Sequence, residues 1–165
     1  MIRSLLVNFS VDKNSKKIKV EREFAAPLAR VWAAWTEQQI LDQWWAPRPW
    51  QTKTKHLDFR VGGYWLYVME GPAGEAFWSR GDFESIVPEQ SFSVREAFCD
   101  DQGTVNAGFA VSFWNNTFTP TGKSTRVSIE IKYKTLADLE AILAMGFEEG
   151  FLSAMQNLDT IFGQD

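Results

Sequence analysis

Among its 165 residues the chain has one cysteine, Cys99, and one histidine, His56. A lone cysteine excludes an internal disulfide and any multi-cysteine metal cluster. A lone histidine with no matched partner leaves neither a catalytic triad nor a histidine metal site legible. Phosphate-binding glycine loops, nucleophile elbows and paired-cysteine motifs are missing as well. No apolar run reaches the roughly 18–20 residues that cross a bilayer. The early run Leu5, Leu6 and Val7 is broken by Asn8, Asp12 and Lys13, too soon for a signal peptide. Basic excess is absent: the net charge is −4, so nucleic acid finds no electrostatic footprint. These absences imply no cofactor and no metal, no nucleic-acid partner and no membrane insertion, and they make the cytoplasm the expected location.

Aromatic residues are abundant instead. Eight tryptophans (Trp32, Trp35, Trp44, Trp45, Trp50, Trp65, Trp78 and Trp114) crowd one domain-sized chain. That is more than folding alone requires, and it points to a wide apolar interior able to hold something. The 45% apolar and 23% charged composition is that of a globular domain.

Along the chain, Ile18, Val20, Arg22 and Phe24 alternate with Lys17, Lys19, Glu21 and Glu23, which predicts a half-buried strand over 16–24. Pro27 suits the first position of a helix whose stripe is Leu28, Val31, Trp32 and Trp35. Thr36 and Gln39 read as a capping box opening a second short helix with Ile40, Leu41 and Trp44. Pro47 and Pro49 then force extended geometry. Strands are predicted over 52–59, 63–70, 77–87, 92–98, 109–118 and 125–133, separated by Gly, Pro and Asp turns, as in an antiparallel meander. Thr135 opens a helical segment that Gly146 closes. Phe147, Phe151, Ala154, Met155, Leu158 and Phe162 stripe a final amphipathic helix, the natural cover for the sheet's apolar face.

Five blocks carry a family resemblance: Arg22–Pro27 continuing to Val31-Trp32 and Trp35-Thr36, Gln43–Trp50, Asp58–Trp65, Met69–Glu75 and Gly146–Phe151. Together they resemble the proteins named after the activator of heat shock protein 90 ATPase, C-terminal domain type, within the START-like (Bet v-like, polyketide cyclase-like) superfamily. The similarity runs from about residue 16 to 163 and implies one α+β helix-grip domain. In that fold a curved antiparallel sheet of about six or seven strands wraps a long C-terminal helix, with two short helices after the first strand. The superfamily includes lipid carriers, hormone receptors and cyclases, so fold does not fix activity. The co-chaperone behind the family's name has an additional N-terminal domain. Chaperone interaction is therefore not the leading expectation here, and a homodimer is compatible with the resemblance alone.

Individual residues narrow the reading. Arg22 shares a phase with apolar neighbours, and a buried guanidinium needs a partner or a ligand; Glu70, in phase with Tyr64, Leu66 and Val68, is the proposed carboxylate. Asp82 and Glu84 could form an acid–base pair, but Phe77, Phe83 and Val87 claim the inward phase of their strand. His56 reads as a partly exposed strand residue, and Asp100 and Asp101 beside Cys99 argue against an activated thiol. Trp45 and Trp50 flank two prolines and mark a lid or pocket entrance. Gly146 and Gly150 around Phe147 point to close packing or a movable gate, since glycine costs a helix roughly 1 kcal/mol relative to alanine.

The expectation is binding of a small hydrophobic or amphipathic molecule between sheet and C-terminal helix. Tyr64, Leu66, Val68, Phe77, Phe83, Val111 and Phe113 would contact it from the strands, and Phe147, Phe151 and Met155 from the helix. Arg22 and Glu70 would orient it beneath Trp45 and Trp50. No catalytic residue is assigned; the alternatives are a cyclase- or hydrolase-like enzyme on a hydrophobic substrate and a co-chaperone-like interaction module.

Overall fold

The structure is a computed structural model describing residues 5–163. Eight strands form one antiparallel sheet in the order β1-β2-β8-β7-β6-β5-β4-β3. They are β1 (Val7–Asp12), β2 (Lys17–Phe24), β3 (Gln51–Leu57), β4 (Tyr64–Glu70), β5 (Ala76–Val87), β6 (Ser91–Cys99), β7 (Ser112–Thr121) and β8 (Ser124–Tyr133). β3 to β8 make the expected meander, while β2 pairs with β8 at the end opposite β3. The chain between β2 and β3 must therefore cross the sheet's width. It does so as α1 (Leu28–Thr36) and α2 (Gln38–Trp44). α3 (Leu136–Ala144) and the long α4 (Phe147–Phe162) complete the domain, giving a helix-grip arrangement.

The sequence understates the sheet by one strand. β1 pairs with β2 from Val7↔Arg22 to Asp12↔Lys17, yet its residues are mostly exposed. An edge strand with one shallow contact leaves little alternation to read. The capping box is also corrected. Thr36 is still helical, so its hydroxyl donates back to the Trp32 carbonyl (2.9 Å), and Glu37 separates the helices without a side-chain cap. Pro27 precedes the first helical residue as the N-cap rather than occupying it.

The tryptophans mostly pack on one another. Trp35 lies 4.6 Å from Trp44 and 5.7 Å from Phe24, centroid to centroid, and Trp32 meets Phe59, Phe92 and Phe118 edge-to-face. Such contacts add to simple area burial. The Trp44 indole donates to the Ala34 carbonyl at 2.7 Å, so this fully buried ring keeps its polar atom satisfied.

The inward face of β2 and β8 carries Ile18, Val20, Val127, Ile129 and Ile131, all essentially inaccessible. Against the core lies the buried stripe of α4: Phe151, Ala154, Met155, Leu158 and Phe162. Three polar ties fasten the C-terminal half of this helix. Arg22 of β2 is ion-paired with Asp159 and also donates to the Glu23 carbonyl at 2.9 Å. Arg30 of α1 donates to the carbonyls of Ile161 and Phe162, each at 2.9 Å, which satisfies the open end of α4. Asn157 donates to the Trp44 and Ala46 carbonyls. Arg22 therefore finds its carboxylate on the helix and not in Glu70.

Gly146 ends α3 with φ 85°, a left-handed turn that suits glycine. Gly150 has no such need: a Cβ there would meet only Pro47 Cγ at 3.9 Å. Close packing explains neither glycine.

Removing one member of the Arg22–Asp159 pair strands a buried charge. Asp159→Ala is expected to lower stability in urea denaturation by roughly 1–3 kcal/mol, and Arg22→Met combined with Asp159→Leu to lose less than that single change. A double variant less stable than Asp159→Ala would contradict the pairing account.

Candidate functional site: an aromatic pocket with a carboxyl on its floor

Between the sheet and the N-terminal half of α4 lies a pocket of about 370 Å³. β4 to β8 supply the floor, α3 and α4 the roof, and the segment after β6 one wall. Alternation along each strand decides what the floor presents. β4 turns Tyr67 and Met69 inward, β5 Phe77 and Ser79, β6 Glu96 and Phe98, β7 Ser112 and Trp114. Exposed Phe77, Phe109 and Met145 rim the mouth. Trp114 packs 5.4 Å from Phe151 and 5.9 Å from both Trp45 and Phe147, so rings meet from strand, loop and helix.

Glu96 is the chemical exception in this lining. Its one side-chain hydrogen bond among the described residues comes from the Tyr67 hydroxyl at 3.4 Å, which in turn accepts from Trp45 Nε1–H at 3.1 Å. Glu96 is half-buried and lines the pocket. Loss of solvation pushes its pKa from the usual 4.5 to about 8; the Tyr67 hydrogen bond opposes the rise and Asp82 adds to it. Burial likewise raises the Tyr67 and Tyr133 phenols above their ordinary range. Gly81 stands opposite Glu96 in the ladder, and a Cβ there would lie 2.8 Å from Glu96 Oε1. A glycine at that register position is what gives the carboxyl its room.

Among the described residues the pocket lining contains no lysine, arginine or histidine, and its second acid, Asp138, belongs to α3. No group of three metal-ligating side chains occurs among the described residues. Burial above all raises the Cys99 thiol to about 11, which leaves it a poor nucleophile at neutral pH. Asp82 is tied to Arg80 at 2.7 Å.

Of the residues singled out from sequence, Trp45, Phe77, Phe147 and Phe151 line the pocket. Trp50 packs 5.8 Å from Phe77 beside the mouth without lining it. Tyr64, Leu66, Val68 and Glu70 occupy the opposite face of β4: Tyr64 lies under Arg80, and Glu70 pairs with Lys53 at 2.7 Å. Trp65, Tyr67 and Met69 hold the inner face instead. Both phases of this strand are apolar, so alternation alone does not choose between them. Val111 and Phe113 are displaced in the same way by Ser112 and Trp114; Phe113 meets Arg95 outside. Phe83 packs with Phe59 in the core at 4.9 Å, and Met155 is fully buried. Arg22 is occupied by Asp159 and lies outside the pocket.

Glu96 itself escaped the sequence reading, although it shares a phase with Phe92, Val94 and Phe98. Because folding raises its pKa, the unfolded chain gives up this proton first as pH increases. Stability contributed by the group is therefore lost between about pH 4.5 and 8, with no effect below the lower value. Glu96→Gln is expected to match the parent chain in denaturation at about pH 4 and to exceed it by on the order of 4–5 kcal/mol at about pH 9. Parallel stability profiles for the two proteins would contradict this.

Comparison with known proteins agrees with this architecture. The crystal structure of protein Ms6760 from Mycobacterium smegmatis aligns with TM-score 0.89 at 27% identity, over 98% of this chain and 99% of that one. A solution structure from Arthrobacter aurescens gives 0.90 at 25% identity, covering 96% and 92%. Protein NE0264 from Nitrosomonas europaea gives 0.80 at 26%, covering 91% and 96%. No curated protein matches the chain. Residues 25–163 match the family described as Activator of Hsp90 ATPase homolog 1-like protein, and the chain belongs to that family.

Proposed function

We propose that this domain binds a small hydrophobic or amphipathic molecule in the pocket beneath α3 and the start of α4. The observation that carries the reading is an aromatic-walled space of about 370 Å³ with one carboxyl, Glu96, on its floor. That size lies in the lower part of the range for small-molecule sites, which combine apolar walls with few orienting polar groups. Exposed Phe77, Phe109 and Met145 at the mouth add apolar surface where a ligand would enter. Gly150 supports it too, because the position tolerates a side chain by packing yet keeps the pocket edge clear.

Glu96 favours one further reading. A carboxylic acid held neutral near pH 7 can donate a proton to a bound substrate. An enzyme of that kind would show turnover that falls above about pH 8 and vanishes in Glu96→Gln.

The binding reading is tested with the neutral fluorophore N-phenyl-naphthylamine. Saturable uptake by the parent chain is expected, with quenching of tryptophan emission through Trp45 and Trp114. Gly150→Leu should weaken uptake about tenfold by filling the pocket edge. No uptake, or uptake indifferent to that substitution, would overturn the proposal.

A further inference from the structure

We propose that the pocket selects amphipathic molecules bearing a protonated amine over those bearing a carboxylate, with Glu96 as counter-ion and the surrounding rings as a cage. The inference rests on the binding reading above and names the ligand class it implies. Three observations carry it. First, the lining holds two carboxyl groups, Glu96 and Asp138, and among the described residues no cationic side chain accompanies them. An anionic headgroup would lose its water and face like charge, with no partner to offset either cost.

Second, the rings are arranged as a cage. Trp45, Tyr67, Trp114, Tyr133, Phe147 and Phe151 all border the space, and Trp114 stands nearly perpendicular to both Phe147 and Phe151, at 85° and 88°. Aromatic faces attract ammonium groups, most strongly where water is excluded. Third, among the described residues the Glu96 side chain has a single weak hydrogen bond, from Tyr67 at 3.4 Å. Most of its acceptor capacity is therefore open to a ligand's N–H donors.

The proton balance follows. In the empty pocket near pH 7 Glu96 is mostly protonated. An ammonium ligand forms an ion pair with the carboxylate, and the Glu96 proton leaves to buffer; no bond of the ligand breaks. Loss of solvation sets this titration first, with the Tyr67 hydroxyl on β4 opposing it and Asp82 on β5 adding to it; Ser79 on β5, Ser112 on β7, Tyr133 on β8 and Asp138 on α3 are the other polar groups that face the pocket. α4 contributes Phe147 and Phe151, which do not ionise.

The test is isothermal titration of the full chain with octylamine, octanol and octanoate near pH 7, in two buffers of different ionisation enthalpy. Octylamine is expected to bind about tenfold tighter than octanol, octanoate weakest, and the amine alone to release close to one proton. In Glu96→Gln the amine should fall to the affinity of octanol measured on that variant, with no proton released. Octanoate binding as tightly as octylamine, or an amine preference that survives Glu96→Gln, would overturn this inference while leaving the pocket reading intact. Failure of all three compounds to bind would overturn both.

Discussion

The structure depends on how α4 is held. Its C-terminal half is tied to three different elements: Arg22 of β2 reaches Asp159, Arg30 of α1 reaches the last carbonyls, and Asn157 reaches the end of α2. Among the described residues its N-terminal half has no such ties. There Phe147 and Phe151 stack on each other at 5.3 Å and lean on Trp114. One half is sealed into the core, and the pocket lies under the other half. The polar fasteners and the pocket thus divide sixteen residues of helix between them.

The same geometry explains how a carboxyl is tolerated inside an aromatic chamber. Burying an ionised glutamate without a partner is costly, and Glu96 avoids that cost by holding its proton near neutral pH. Trp45 and Tyr67 form a short donor relay toward it, while Gly81 yields the volume it occupies. The result is a polar point in an apolar enclosure, fixed in place by a strand instead of a loop.

Much of the fold could be read from the chain. The alternation in β2 and β8, the stripe of α4, the capping Thr135, whose hydroxyl accepts from the Asp138 amide, and the turn at Gly146 all carried clear periodic or conformational signals. β1 did not, because an exposed edge strand has no buried face to imprint a pattern. The site was less legible. Tyr64, Leu66, Val68 and Glu70 of β4, and Val111 and Phe113 around the start of β7, were expected on the face opposite to the one they occupy. Tyr64–Met69 is apolar in both phases, and Val111–Trp114 has an aromatic ring in each register. Arg22 was rightly read as needing a carboxylate, but a partner 137 residues away on a helix cannot be chosen from strand phase. Glu96 had the needed signal, its phase with Phe92, Val94 and Phe98. A charge within an apolar phase is easily taken for a surface residue unless its partner strand is known.

The central claim is that one acid on the pocket floor stays uncharged until something occupies the space above it. Carbon-detected NMR of the Glu96 side-chain carboxyl across pH, in the free protein and with octylamine added, reads that state directly. The account predicts a free-protein midpoint near 8 that drops on addition of the amine. A midpoint at the ordinary 4.5, unmoved by the amine, would contradict it.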